Sequence, residues 1–113
     1  MSKINGWLFV DKHVGITSRK IVDIISRSIK QKKVGHAGTL DPMASGLLAV
    51  AIGEATKTVF LIQNAKKNYE FKVRWGMSTS TDDSEGQVIS QSQIRPTKKE
   101  ILSLIPKFIG DIE

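Results

Sequence analysis

The spacing of apolar residues in the first third of the chain predicts a strand followed by a helix. Residues 7–10 form an apolar run of strand length, and residues 11–15 have the composition of a turn that closes it. Thr17 or Ser18 can cap the next segment, in which one arc at 100° per residue is apolar and the other is basic. The apolar arc contains Ile21, Val22, Ile24, Ile25 and Ile29, and the basic arc contains Arg19, Lys20, Arg27 and Lys30.

The rest of the pattern adds three further strands and two helices. Residues 47–52 are continuously apolar, which is typical of a strand buried on both faces, and residues 54–64 favour a short helix. Residues 67–75 alternate as a half-buried strand does, with Tyr69, Phe71, Val73 and Trp75 on one face. A polar loop, 76–86, and a short strand, 87–90, then suggest a hairpin. A capping box at 97–100 begins a last helix, which Pro106 must kink or end.

The composition limits the size of the core and the kinds of partner and site that are expected. A chain of 113 residues that is 40% hydrophobic can bury one modest core, so residues 1–113 are expected to be one domain or part of one, with no second domain. The net charge of +6 favours polyanionic partners. The absence of cysteine and the presence of only two histidines argue against a disulfide framework or a metal site. No apolar run can span a bilayer, and a cytoplasmic location is expected.

Candidate chemistry is concentrated in residues 35–42, G-H-A-G-T-L-D-P, between the basic helix and the apolar strand. Asp41 follows a glycine-containing bend and precedes Pro42, whose ring restricts Asp41 to extended backbone conformations. An isolated Asp-Pro pair in such a loop is usually a turn device. The loop therefore needs support from the rest of the sequence before Asp41 is assigned a chemical role.

That support comes from a resemblance to the TruB family of tRNA pseudouridine synthases. The stretch V-G-H-A-G-T-L-D-P-M-A-S-G-L-L at 34–48, followed by G-E-A-T-K at 53–57, resembles the family's catalytic region. Further motifs are D-K-x-x-G-x-T-S at 11–18, N-Y-E-F at 68–71 and T-x-T-x-D-x-x-G at 79–86. The resemblance implies an α/β fold of the α+β type: the N-terminal part of a catalytic domain with a mixed, mainly antiparallel sheet and flanking helices.

The family resemblance implies isomerisation of uridine-55 in the T-loop of tRNA to pseudouridine, without a cofactor or metal. Asp41 matches the catalytic aspartate, which could attack the ribose, add to the uracil ring or abstract a sugar proton; the sequence leaves these routes open. Tyr69 matches a tyrosine that stacks on the target base, and His36 matches a histidine that contacts the substrate loop. The expected partner is tRNA, through its T-loop and T-stem.

Several residues near these motifs carry weaker expectations. His13 stands where the family pattern has proline, and Ser80 where it usually has an acid. Asp83 matches an acid of the family but is more simply interpreted as a solvated turn residue. Phosphate contacts are expected from basic residues beside the loop, namely Arg19, Lys20, Lys32 and Lys33.

The family pattern continues beyond Glu113, so the chain is expected to be a truncated catalytic domain that needs a remainder, supplied by a separately encoded C-terminal portion. The alternative is a non-catalytic remnant that binds RNA weakly, and poor stability in isolation is expected because sheet edges and apolar faces would be exposed. A third hypothesis is an N-glycoside hydrolase that releases the base to water. The match of the whole loop argues against this last reading.

Overall fold

A computed structural model describes residues 3–111, and the chain divides into two compact units, residues 1–68 and 69–113. The first unit is built on a three-stranded antiparallel sheet. Its strands are β1 (Gly6–Lys12), β2 (Val34–Ala37) and β3 (Gly46–Ile52), and β3 lies in the centre of the order β1-β3-β2. Because β3 pairs along its length with β1 and near its end with β2, it is the strand that holds this unit together.

Helix α1 (Ser18–Ile29) covers one face of this sheet. The helix begins where predicted, because the Thr17 side chain accepts a hydrogen bond from the Lys20 amide at 3.0 Å. It ends at Lys30, which adopts a left-handed conformation with φ of 55°. Ile21, Ile25 and Ile29 of its apolar arc pack with alternate residues of β3, and the basic arc faces outward as predicted. Ile24, which the pattern placed in the apolar arc, is instead 45% exposed.

The core of the first unit consists of Ile21 with Leu48, Val50 and Ile52, all buried. The intervening residues of β3, Ala49 and Ala51, point to the opposite face and are buried as well. The prediction of a strand buried on both faces is therefore confirmed. Full burial of side chains of this size stabilises a fold by about 1.5–3 kcal/mol each.

After β3 the chain turns into a 3₁₀ helix (Gly53–Thr58) and a short helix α2 (Val59–Gln63), which contacts β2. These elements confirm the predicted helical segment 54–64. Gly53 has φ of +63°, and a Cβ there would meet the Asn5 side chain at 2.2 Å. Glycine is therefore required at the turn from β3 into the helical segment.

The second unit contains a hairpin and one helix. Strands β4 (Met77–Thr79) and β5 (Val88–Gln91) pair antiparallel with a register shift between Ser78 and Thr79, and α3 (Lys98–Leu104) leads into a 3₁₀ helix (Ile105–Phe108). The capping box at Thr97 and Glu100 is present, and α3 ends before Pro106 as predicted. No side chain among residues 69–111 is buried.

Two predictions about strands are wrong. Residues 67–74 have no regular structure, although their alternation predicted a strand, and the hairpin uses 77–79 instead. A period-two pattern specifies which face would be buried, but a strand also needs a hydrogen-bonding neighbour, and no described residue pairs with this segment. Conversely, residues 35–37, predicted as loop, belong to β2, because the edge of β3 supplies such a neighbour.

The overall class agrees with the expectation. Helices and antiparallel sheets are combined within the described residues, as the predicted α+β arrangement requires. The expectation that residues 1–113 are part of a single catalytic domain stays a prediction.

Candidate active site

Asp41 lies in the connection between β2 and β3, residues 38–45. Gly38 begins this connection with φ of +79°, a conformation that residues with a side chain rarely adopt. Glycine therefore permits the change of chain direction after Ala37. The Ala44 amide donates to the Asp41 carbonyl at 2.9 Å and closes a turn over the next residues. Asp41 itself is exposed, so its carboxylate is accessible from solvent.

The residue before Asp41 is tied to helix α1. The Ser18 hydroxyl donates to the Leu40 carbonyl at 3.0 Å and accepts from the Leu40 amide at 3.1 Å. Ser18 is only 3% exposed, and Leu40 packs against the core cluster. Both the backbone and the side chain of the residue preceding Asp41 are therefore held by the first unit.

The residue after Asp41 is tied to the turn that follows β1. The Gly15 amide donates to the Pro42 carbonyl at 2.6 Å, and the Lys12 ammonium lies 3.5 Å from the same oxygen. Lys12 is 1% exposed and also donates to the carbonyls of His13 and Ile16 at 3.0 and 2.8 Å. These bonds satisfy a buried cation with carbonyl oxygens and attach the turn to the loop.

Together these contacts place Asp41 between two anchored neighbours. Backbone atoms on each side are bonded to different elements, while the carboxylate is outside every ion pair found among residues 3–111. An accessible carboxylate on an immobilised backbone suits a group that must approach a substrate in a defined orientation.

His36 lies in β2, opposite Val50 of β3, and is half-buried. Its Nδ1 lies 2.6 Å from the Gly38 carbonyl, and because a carbonyl only accepts, Nδ1 donates the hydrogen. The Nε2 atom of the neutral ring is then an acceptor. His36 and Asp41 thus belong to one hairpin, and the histidine ring is oriented by the glycine that begins the Asp41 connection.

Tyr69 is the first residue of the second unit and is 66% exposed. The prediction that it lies on the inward face of a strand is wrong, since residues 65–74 are irregular. An exposed phenol ring still offers a face for stacking on a base. The assignment of Tyr69 to base stacking stays a prediction.

Asp83 organises its own loop. Its carboxylate accepts hydrogen bonds from the Thr81 hydroxyl at 2.5 Å and the Glu85 amide at 2.8 Å, and these bonds lower its pKa. Ser80 accepts from the Gln87 amide at 3.2 Å and so stabilises the same loop. This geometry is that of an exposed turn acid.

The basic residues beside the loop differ in their pairing. Arg19 pairs with Asp23 at 3.4 Å, and Lys33 pairs with Glu54 at 3.6 Å. Glu54 also contacts Lys57, and the two lysines, Lys57 first, lower the pKa of its carboxyl. Lys20 and Lys32 are exposed and lie outside every ion pair found among residues 3–111.

Two residues of this arrangement, Lys12 and Ser18, were not predicted as part of the site. Both lie in the 11–18 motif, but sequence indicated only a turn and a helix cap there. In the structure Thr17 caps the helix, and the Ser18 hydroxyl is hydrogen-bonded to Leu40 instead. A contact across 22 positions has no local signal in the sequence.

No group of three or more His, Cys, Asp or Glu side chains that could hold a metal ion occurs among residues 3–111. No helix in that range is long and apolar enough to cross a membrane.

Comparison with known proteins gives a consistent result. The family model described as TruB family pseudouridylate synthase, N-terminal domain, matches residues 26–113. A protein of Roseobacter denitrificans named tRNA pseudouridine synthase B is 56% identical over 97% of this chain and 36% of its own length. Proteins of the same name from Bradyrhizobium diazoefficiens and Ruegeria pomeroyi are 49% and 52% identical. The chain therefore spans about a third of the length of these relatives.

Proposed function

The chain belongs to the TruB family of pseudouridylate synthases, and we propose that it carries the Asp41 part of an active site that isomerises uridine-55 in the T-loop of tRNA to pseudouridine. The observation that carries this proposal is the Asp41 loop. An exposed carboxylate between two anchored residues lies inside the segment matched by the family model.

The reaction demands a group that controls a detached base. The C1′–N1 bond of the uridine breaks, the uracil rotates while it remains bound, and a C1′–C5 bond forms; the proton at C5 is then lost and N1 gains a proton. A carboxylate can assist by attacking the ribose, by adding to the ring or by abstracting a sugar proton, and Asp41 is accessible for each of these routes. No step requires an oxidant or reductant.

The other proposed substrate contacts follow from the same chemistry. A uridine in a folded loop must leave its stack, at a cost of a few kcal/mol, before a carboxylate can reach its sugar. Tyr69 is proposed to stack on the extruded base, and His36 to contact the RNA loop through its Nε2 side. The exposed phenol of Tyr69 and the oriented ring of His36 support these roles.

The basic face of α1 is proposed to contact tRNA phosphates. Lys20 and Lys32 are the stronger candidates because they lie outside the ion pairs of the described residues, whereas Arg19 and Lys33 have acidic partners. T-stem contact and a cytoplasmic location follow from the choice of tRNA as substrate and are part of this proposal.

The decisive experiment uses tRNA labelled with tritium at C5 of uridine. Mixed with the part of the Roseobacter denitrificans relative that this chain does not cover, residues 1–113 should release tritium to water while the base stays attached. Asp41→Asn should lower the rate by about 10²–10⁴-fold, as expected for removal of a positioned proton-transfer or nucleophilic group. Asp111→Asn, which changes another exposed aspartate, is the control and should have no effect.

Each other outcome excludes the proposal in a different way. Release of free uracil indicates a hydrolase. Binding of tRNA without tritium release, in the same mixture, indicates a non-catalytic RNA-binding protein. Full activity of Asp41→Asn contradicts the assignment of Asp41.

A further inference from the structure

Ser18 and Lys12 are the two polar side chains that are buried among residues 3–111. Lys12 bonds three separate carbonyls, but Ser18 directs both its donor and its acceptor to one residue, Leu40, which immediately precedes Asp41. We propose that Ser18 is a positioning residue for Asp41: its hydroxyl holds the Leu40 peptide and thereby sets where the Asp41 carboxylate points. This inference rests on the proposed function.

The chemistry of the hydroxyl explains why serine suits this position. A hydroxyl donates one hydrogen bond and accepts others, so one small side chain can satisfy both the N–H and the C=O of Leu40. A methyl group at the same place would leave both of these groups without the partner they have in the native fold. The two bonds also define the rotation of the Leu40 backbone more tightly than one bond would.

The place of Ser18 in the helix explains how the loop is held rigidly. Ser18 is the first residue of α1, and the capping bond of that helix is made by Thr17. The Ser18 hydroxyl is therefore not needed for the helix itself and links it to a loop 22 residues away. Because α1 packs on the core through Ile21, the loop is attached to one of the best-packed elements of the first unit.

The expected consequence is a catalytic effect without a binding effect. Leu40 and Pro42 are anchored to different elements. Loss of the Ser18 bonds should therefore increase the mobility of the Asp41 carboxylate, while contacts between tRNA and other residues remain. A misplacement of about 1 Å in a reacting group can cost about 10²-fold in rate. Ser18→Ala should therefore lower kcat by about 10- to 100-fold and change KM for tRNA by less than about threefold.

The control is Ser28→Ala on the same helix. Ser28 is exposed, and its hydroxyl bonds the Ile24 carbonyl within α1 at 2.8 Å, so its loss should change neither parameter. A Ser18→Ala protein with wild-type kcat, or with kcat lowered only in proportion to its unfolded fraction, would overturn the proposal.

Amide hydrogen exchange measures the anchor without relying on activity. In the wild-type chain the Leu40 amide should exchange at least about tenfold more slowly than an unprotected amide. In Ser18→Ala this protection should be lost while the Val50 amide in β3 stays protected. Leu40 protection that is absent from the wild type, or that survives in Ser18→Ala, would overturn the proposal.

The two proposals fail in distinguishable ways. If the Leu40 amide of the wild-type chain is protected as expected but the mixture with the relative's remaining part releases no tritium from tRNA, the proposed function is overturned, and the Ser18 anchor stays supported as a device that orders the Asp41 loop. A wild-type chain that is active, with an unprotected Leu40 amide, overturns the Ser18 inference alone.

Discussion

Both units of the chain contain large apolar residues but use them differently. Among the described residues, every buried side chain lies between Lys12 and Ile52, in the first unit. In the second unit large apolar side chains remain exposed, including Phe71, Ile89, Ile94 and Phe108. The difference shows that a core depends on long-range pairing around a central strand, which β3 provides in the first unit and the short β4–β5 hairpin does not.

The same difference divides the candidate site residues. Asp41 and His36 lie on a hairpin anchored to a packed core, whereas Tyr69 begins the unit that has no buried side chain among residues 69–111. We therefore expect the geometry around Asp41 to be set by the first unit itself. Substitutions in the two units should accordingly differ in size and kind.

The largest expected contrast is between two leucines. Leu48→Ala removes a side chain that is 1% exposed and should lower the free energy of unfolding by about 2–5 kcal/mol, because it leaves a cavity in the core. Leu102→Ala changes a leucine of α3 that is 55% exposed and should alter it by less than about 0.5 kcal/mol. Urea unfolding followed by circular dichroism measures both.

Leu47→Ala is a second control, because Leu47 is next to Leu48 in β3 but is 70% exposed. It should behave like Leu102→Ala. Equal destabilisation by Leu48→Ala and Leu102→Ala would show that the second unit has a core of its own.

The next contrast is between two helix caps. Thr17 and Thr97 each accept a hydrogen bond from a backbone amide three residues later, at 3.0 and 3.2 Å. Thr17→Ala should destabilise the whole first unit by about 0.5–2 kcal/mol, since α1 covers its core. Thr97→Ala should leave the unfolding midpoint unchanged and speed exchange of the Glu100 amide by about three- to tenfold.

Amide exchange resolved by residue provides the measurement for both variants. A change in the protection of β3 amides on Thr97→Ala would mean that α3 supports the first unit. That result would contradict the expectation that the Thr17 cap stabilises the whole first unit while the Thr97 cap affects only α3.

The smallest contrast concerns pH. The pKa of Glu54 is lowered by Lys57 and Lys33 in the first unit, and that of Asp83 by hydrogen bonds from Thr81 and Glu85 in the second. A carboxyl whose pKa is lower in the folded state stabilises the fold above its unfolded value, and this contribution is lost as pH falls through the folded pKa. Glu54→Gln should therefore lower Tm slightly at pH 7, and the difference should vanish on acidification below 4.5.

The dependence on salt distinguishes the ion pairs of Glu54 from the hydrogen bonds of Asp83. About 0.5 M NaCl should reduce the effect of Glu54→Gln, because exposed ion pairs are screened. Asp83→Asn removes hydrogen bonds within an exposed loop of the unit that has no buried side chain among residues 69–111. It should therefore leave Tm unchanged and shift only the amide resonances of residues 79–86, with little dependence on salt. A Tm difference for Glu54→Gln that persists at acidic pH would show that lost packing, rather than the carboxylate charge, causes the effect.

Much of this protein follows from the sequence alone. The apolar periodicity predicted α1, the continuous apolar run predicted β3, and the capping box predicted α3, because each depends on residues close in the chain. The motifs around Asp41 likewise identified the family that the comparisons show. Local patterns determine local elements and the type of chemistry they can carry.

Tertiary structure decided the rest. Residues 35–37 became a strand because β3 offered an edge, while residues 67–74 stayed irregular without a hydrogen-bonding neighbour among the described residues, although their alternation predicted a strand more clearly. The anchors of Asp41 also depend on distant pairs, Ser18 with Leu40 and Lys12 or Gly15 with Pro42. Strand pairing and buried polar bonds are formed between residues far apart in sequence, so only the folded chain determines which partners meet.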